Sequence, residues 1–267
     1  MALFRALALS LIIIFFTISP IPVNSSRSEV SLSPHSETSD KVSVGLYYES
    51  LCPYSAEFII NNLSKLFDNG LISIVDLKLV PYGNAKITNN STINCQHGPS
   101  ECFLNTIEAC AIDTWPDLNT HFPFINCVEK LVYDRKFPEW DSCFDVLGLD
   151  RNPVDECYST GHGKELQLAY ADETSALEPP HQYVPWVVVN GNPLFEDFEN
   201  FMIYICEAYT GTYTPSACSS LAITEEKTRM KGGRTTSPVC EGSESNLSNM
   251  KSHVNYWVSR IAAVMWQ

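Results

Sequence analysis

No two cysteines in this chain stand three residues apart, although there are ten of them in 267 residues. That absence excludes a self-contained dithiol of the Cys-x-x-Cys kind. It also weakens a zinc reading, because zinc ligands usually arrive as such close pairs. Basic residues are scarce as well. Seventeen Lys and Arg face thirty-one Asp and Glu, for a formal charge of −14 and a pI of about 4.8. A surface that grips phosphates needs clustered Lys and Arg, so a nucleic-acid partner is excluded. Long apolar runs are missing too: the one candidate, Ala6 to Thr17, is too short for a comfortable membrane span. No internal repeat is evident.

What is present begins with a secretory pattern. Arg5 supplies a positive start, Leu11 to Phe16 an apolar centre, and Ser19 to Ser26 a small, polar exit. Residues 1–26 are therefore predicted to be a signal peptide, and the Ser-rich stretch 27–40 a disordered segment. An uncleaved anchor is the alternative. Asn-x-Ser/Thr sequons at Asn24, Asn62, Asn89, Asn90 and Asn246 agree with secretion and mark candidate glycosylation sites. In a secreted chain, ten cysteines imply disulfides. If Cys52 is kept free for chemistry, one other cysteine is left over, and Cys240, in a polar tail, is the odd one out. Cys95, Cys102, Cys110, Cys127, Cys143, Cys157, Cys206 and Cys218 remain as structural disulfide candidates in an undetermined pairing. Cys206 and Cys218, close in sequence around Gly211 and Pro215, are the best local pair.

Hydrophobic periodicity organises the rest. Val42 to Glu49 reads as a strand, Pro53 to Phe67 as a helix stopped by Asp68-Asn69-Gly70, and Leu71 to Val80 as a second strand. A strand–helix–strand unit favours parallel pairing in one sheet. From about Cys95 to Ala176 the pattern is helical and cysteine-dense, which predicts a disulfide-pinned helical insertion. Strand character returns at Val187-Val-Val189, followed by the hairpin signal Asn190-Gly191 and an amphipathic helix over Asp197–Tyr209. The domain is predicted to span 41–218. Residues 219–267 form a polar tail with a short apolar end that docks as a helix, meets a membrane surface, or is incidental. No stable membrane span is expected.

The chemistry concentrates at Cys52-Pro53-Tyr54-Ser55. A cysteine between a strand and a helix meets unpaired backbone N–H groups and the positive end of the helix dipole, both of which favour its thiolate. A second cysteine at position 55 would close a dithiol switch. Ser55 offers only a hydroxyl, which can hydrogen-bond a thiolate but cannot form a disulfide. Attack by Cys52 on a disulfide would leave a mixed disulfide that needs another thiol for release. The plain alternative is that Cys52 pairs permanently with another cysteine, Cys240 among them.

Three segments together resemble the gamma-interferon-inducible lysosomal thiol reductase family. They are Tyr47-Tyr-Glu-Ser-Leu-Cys-Pro-Tyr-Ser55, the run Cys95-Gln96-His97-Gly98 through Glu101, Cys102, Asn105 and Glu108 to Cys110, and Leu177-Glu-Pro-Pro-His181-Gln-Tyr183-Val-Pro185-Trp186 with Asn190-Gly191. The likeness covers about Val42 to Cys218, and the Cys-Pro-Tyr opening is plant-like. It implies an α/β, thioredoxin-like fold with an inserted disulfide-rich helical subdomain. It further implies a secreted or lysosomal or vacuolar glycoprotein acting on protein disulfides with a small thiol as reductant and no cofactor or metal. Carried onto this chain, Cys52 is the nucleophile, Ser55 stands where the resolving cysteine is expected, and Pro185 is the cis-proline facing the sulfur. His97 is either a base or metal ligand or, as for most single histidines, structural. The rival function, from a different class, is a non-catalytic lumenal protein that binds thiols or peptides.

Overall fold

The computed structural model describes residues 41–88, 91–221 and 237–242. The expected signal peptide, the 27–40 segment, Asn24, Asn89, Asn90, Asn246 and the apolar C-terminal run lie outside the described residues.

The first strand, β1 (Val42–Tyr48), is central to the sheet. Val42, Val44, Leu46 and Tyr48 alternate onto one face of the sheet and are all buried in its core. On one side β1 pairs in parallel with β2 (Val75–Pro81), with Val42 opposite Val75 and Tyr48 opposite Pro81. Between them the chain makes α1 (Pro53–Phe58), a π-helical stretch over Ile59–Leu63, and α2 (Lys65–Asp68). The second strand starts later than its alternation suggests, since Leu71–Ile74 forms a 3-10 turn after Gly70. Two short strands, β3 (Lys86–Ile87) and β4 (Ile93–Asn94), form a separate small ladder.

The helical insert follows. It consists of α3 (Pro99–Thr114), α4 (Leu118–Tyr133), α5 (Ser142–Leu147), α6 (Asn152–Thr160) and α7 (His162–Ser175). Its own core gathers Leu104, Ile107, Phe124, Val128, Trp140, Phe144 and Val154. Helix α4 serves two cores at once: Phe124 and Val128 face the insert, while Phe122 and Ile125 join the sheet core. Two disulfides, Cys110–Cys157 and Cys127–Cys143, tie α3 to α6 and α4 to α5. For a loop as short as that between Cys127 and Cys143, such a link contributes about 3 kcal/mol by restricting the unfolded chain.

The chain then returns to the sheet. After β5 (Tyr183–Val184) comes β6 (Trp186–Val189), antiparallel to β1, and then β7 (Asn192–Pro193). Asn190 and Gly191 both take positive φ, 45° and 77°, as the tight hairpin turn demands. A 3-10 segment over Phe195–Asn200 leads into α8 (Phe201–Ala208). Phe198 and Phe201 pack against Phe58 of α1, with ring centroids 5.6 and 5.3 Å apart. The strand order is β2-β1-β6-β7. A parallel β–α–β unit extended by an antiparallel hairpin and a closing helix is the thioredoxin-like arrangement, here with α3–α7 inserted between its halves.

The folded body reaches past Cys218. A last strand, β8 (Cys240–Glu241), pairs antiparallel with β5.

Candidate active site around Cys52

Strand β1 stops at Tyr48, and the turn Glu49–Leu51 delivers Cys52 to the head of α1. The Cys52 N–H donates to the Glu49 carbonyl at 3.2 Å, and its own carbonyl accepts from Ala56 N at 3.0 Å. Pro53 occupies the first helical position, where a missing N–H costs nothing. Across the site the Val184–Pro185 peptide is cis, as the resemblance implied. The Cys52 Sγ lies 3.8 Å from the Val184 carbonyl oxygen. The sequence thus places Cys52 and Pro185 in one site from positions more than a hundred residues apart.

The expectation of a solitary Cys52 with Cys240 left over is corrected. The two are joined in a disulfide. Strand β8 lies along β5 with Cys240 directly opposite Val184, which leaves the Cα atoms of Cys52 and Cys240 6.3 Å apart, within the reach of a disulfide. Proximity of this kind comes from the fold, since 188 residues separate the two cysteines. Cys52, Val184 and Cys240, with Tyr54 against them, form a small apolar cluster in which Cys52 is entirely buried. The other eight cysteines pair among themselves, as Cys95–Cys102, Cys110–Cys157, Cys127–Cys143 and Cys206–Cys218.

Ser55 sits in the first turn of α1, fully buried, and its hydroxyl has no hydrogen-bond partner among the described residues. A buried donor left in that state costs about 1–3 kcal/mol. Residues three apart on a helix share a face, so Ser55 stands on the side of α1 that carries Cys52.

The loop beneath Cys52 is held by a polar stripe on α3. Glu101, Asn105 and Glu108 are spaced four and three apart, so they point the same way. Asn105 Oδ1 accepts from Ser50 N at 2.9 Å, Glu108 Oε2 accepts from the Tyr48 hydroxyl at 2.6 Å, and the Glu101 carbonyl accepts from Ser50 Oγ at 3.4 Å. Glu49 Oε1 accepts from Asn84 N at 2.6 Å. Gly83 makes room for it: a Cβ there would lie 2.2 Å from Glu49 Cγ, and Gly83 has φ +57°.

His97 is placed between Glu49 and Glu101. Its Nδ1 contacts both carboxylates, at 3.4 Å for Glu49, and its backbone N–H donates to Glu101 Oε1. Burial alone would lower the His97 pKa, but the Glu101 and Glu49 carboxylates outweigh it and hold it at about 10. Burial, and after it the Glu101 charge, pushes Glu49 up to about 7 against the lowering hydrogen bonds from His97 and Asn84. The three side chains bring ligand atoms within 4.8 Å of one another. The contacts of His97 with both carboxylates hold the Cys95–Gly98 loop against Glu49 and the start of α3. A second buried group lies deeper. Burial pushes Glu108 up to about 7, and burial together with the Glu108 charge raises Glu129 well above the usual carboxylate range.

Gln96 bridges the Asn84 loop and β8. Its Oε1 accepts from Asn84 Nδ2 at 2.9 Å, and its Nε2 donates to the Glu241 carbonyl at 2.8 Å. Asn84 Nδ2 also donates to the Cys240 carbonyl at 3.1 Å. Asn84 and Glu129 escaped the reading by sequence, while Glu49, Asn105 and Glu108 entered it only as members of the family's motifs, with no role given. The spacing of Glu101, Asn105 and Glu108 was the one available signal. Asn62 lies half-buried in the π-helical stretch and accepts from Lys65 Nζ at 3.2 Å.

Comparison with known proteins decides the family. Residues 43–147 match the family model described as gamma interferon inducible lysosomal thiol reductase. The chain is 46% identical over 188 residues to the gamma-interferon-responsive lysosomal thiol protein of Arabidopsis thaliana, covering 69% of this chain and 78% of that one. The chain belongs to the gamma-interferon-inducible lysosomal thiol reductase family. The mouse thiol reductase of that name is 38% identical over 196 residues, covering 71% of this chain and 76% of its own length. Among solved structures, reduced DsbA from Mycobacterium tuberculosis superposes with a TM-score of 0.48 at 15% identity, covering 74% of this chain and 95% of that one. Among the described residues of this family member, no helix is long and apolar enough to cross a membrane.

Proposed function

We propose that this chain, a thiol–disulfide oxidoreductase by its family, acts on disulfide-containing proteins with Cys52 as the attacking sulfur. The observation that carries the reading is the meeting of Cys52, at the head of α1, with the Val184–Pro185 turn, 3.8 Å from sulfur to carbonyl. The reduced sulfur attacks one sulfur of a substrate disulfide, forms a mixed disulfide, and expels the other substrate sulfur as a thiolate. The first turn of α1 and the unpartnered Ser55 hydroxyl stabilise the attacking thiolate. Pro185 shapes the wall against which the substrate backbone lies. A small thiol restores the reduced enzyme.

The chain enters the secretory pathway through residues 1–26 and works outside the cell or in a lysosome or vacuole. Asn62, Asn89, Asn90 and Asn246 are its glycosylation candidates. Residues 41–218 carry the thioredoxin-like part of the molecule, with the insertion at about 95–176.

A binding-only role is the second reading, and the complete burial of Cys52 favours it. Turnover of a disulfide-bonded protein with a small thiol separates the two. Wild-type protein should reduce the substrate and Cys52→Ala should not. Equal rates for the two proteins would overturn the oxidoreductase reading and leave the binding role.

A further inference from the structure

The Cys52–Cys240 bond joins Cys52 to an extended segment that pairs with β5. Strand β8 adds to the edge of β5 as an extended peptide adds to an open sheet edge. Cys240 sits opposite Val184, the residue before the cis-proline, so its sulfur reaches Cys52 as a substrate half-cystine would. The remaining eight cysteines are bonded to one another, and position 55 holds no sulfur. Cys240 is therefore the sulfur in the chain that stands in reach of Cys52.

We propose that Cys240 is the resolving cysteine of this enzyme, supplied by a distant segment in place of the helix position occupied by Ser55. The inference rests on the oxidoreductase reading above. In the reduced enzyme both sulfurs are thiols and β8 is free to leave β5. Cys52 thiolate attacks the substrate disulfide. One Cys52–substrate S–S bond forms, the substrate S–S bond breaks, and the first substrate thiolate leaves and takes a proton. Cys240, as thiolate, then attacks Cys52 Sγ. The Cys52–Cys240 bond forms, the Cys52–substrate bond breaks, and the second substrate thiolate leaves and is protonated. The substrate has gained two electrons and the enzyme has lost them. Two equivalents of a small thiol reverse this, becoming a disulfide themselves.

The geometry couples resolution to release. Substrate and β8 compete for one strand edge, so return of Cys240 to Cys52 removes the substrate's backbone partner in the same event. The contacts that hold β8 include a two-residue ladder, Asn84 Nδ2 to the Cys240 carbonyl, Gln96 Nε2 to the Glu241 carbonyl, and Gly242 N to the Gln182 carbonyl at 2.8 Å. Gly242 fits closely, since a Cβ there would lie 2.8 Å from Asn84 Oδ1. The Cys-Gln-His-Gly signature thus positions the resolving segment through Gln96.

The test is a single turnover without added thiol. Full-length protein is reduced until Cys52 and Cys240 are free while the other four disulfides persist, as peptide mapping verifies, and is mixed with a labelled peptide disulfide. Wild type should release both peptide halves and end with Cys52 bonded to Cys240. Cys240→Ser should keep one half on Cys52 as a mass adduct, slow its release by more than about tenfold, and let it go when a small thiol is added. Release from Cys240→Ser at the wild-type rate, or a wild type that stalls as the same adduct, would overturn the role of Cys240 and leave the oxidoreductase reading intact. Failure of Cys52 to react in both proteins would overturn the oxidoreductase reading itself. Folding of the variant is checked by its thermal transition. Should it be unfolded, titration of wild type with a thiol buffer decides the matter: Cys52–Cys240 must open before the other four bonds, and its opening last or together with them would overturn the proposal.

Discussion

Asn84 Nδ2 donates to the Cys240 carbonyl at 3.1 Å, from the loop that also holds Glu49. Asn84 thereby links the floor of the site, through its backbone N–H to Glu49, to the segment bonded to Cys52, through its side chain. Asn84→Ala removes this bond and the one to Gln96, each worth about 1 kcal/mol net. The Cys52–Cys240 disulfide should then open at about fivefold lower thiol concentration, because about 2 kcal/mol is about thirtyfold in the equilibrium constant and two thiols are consumed per disulfide. Mass mapping across a thiol titration measures it, and an unchanged midpoint would show that Asn84 does not hold the segment.

Ser55 carries a buried hydroxyl with no partner among the described residues while Cys52 is oxidised. Reduction supplies an acceptor. Ser55→Ala should raise the pKa of the Cys52 thiol by about one unit, equivalent to about 1.4 kcal/mol. Iodoacetamide labelling of the selectively reduced protein, followed against pH, should shift by that amount. A superimposable profile would remove Ser55 from the chemistry.

Buried carboxyls set the pH dependence of stability. Folding raises Glu49 and Glu108 from 4.5 to about 7 and also raises Glu129 well above its ordinary value. The native state therefore holds protons that the unfolded chain gives up between about pH 4.5 and 7, so stability falls as pH rises through that window. His97, raised from 6.5 to about 10, acts in the same direction: its contribution is full below 6.5 and is lost towards 10. Burial lowers His121 and His181, which opposes the trend below pH 6.5. The melting temperature should be higher near pH 5 than at pH 8. Glu129→Gln should raise it at pH 8 by about 3 °C or more and flatten the slope. A variant less stable than wild type at pH 8 would contradict this account.

Gly83 tolerates no side chain, because its φ is +57° and a Cβ would strike Glu49 Cγ. Gly83→Ala should displace Glu49 and destabilise the protein by about 2 kcal/mol or more. Thermal unfolding tests it. A shift of less than a degree would mean that Glu49 relocates freely.

Asn105 is buried and accepts from Ser50 N. Asn105→Leu should cost about 1–3 kcal/mol by orphaning that donor, lowering the melting temperature by several degrees. Unaltered stability would show that the α3 stripe does not support the loop.

Much of the architecture was legible because its signals are local. Alternation and β-branched runs marked β1, β2 and β6, Asn190-Gly191 marked the hairpin, and helical periodicity marked the insert to within a few residues. Cys206 and Cys218 are near in sequence, so their bond needed no knowledge of the fold. The buried carboxyls were not legible, since Glu108 and Glu129 look like ordinary helix-surface residues until two helices bring them together. The same holds for Asn84 and Gln96, whose partners are backbone atoms of a segment well over a hundred residues further on.

By itself the sequence determined the family, the strand–cysteine–helix junction at Cys52, and the lack of a second sulfur at position 55. These are matters of residue type and short spacing. Only the tertiary structure decided that Cys240 lies on β5 within bonding distance of Cys52. A strand edge accepts any extended segment by backbone hydrogen bonds, and those bonds leave no mark in the identity of the residues that make them.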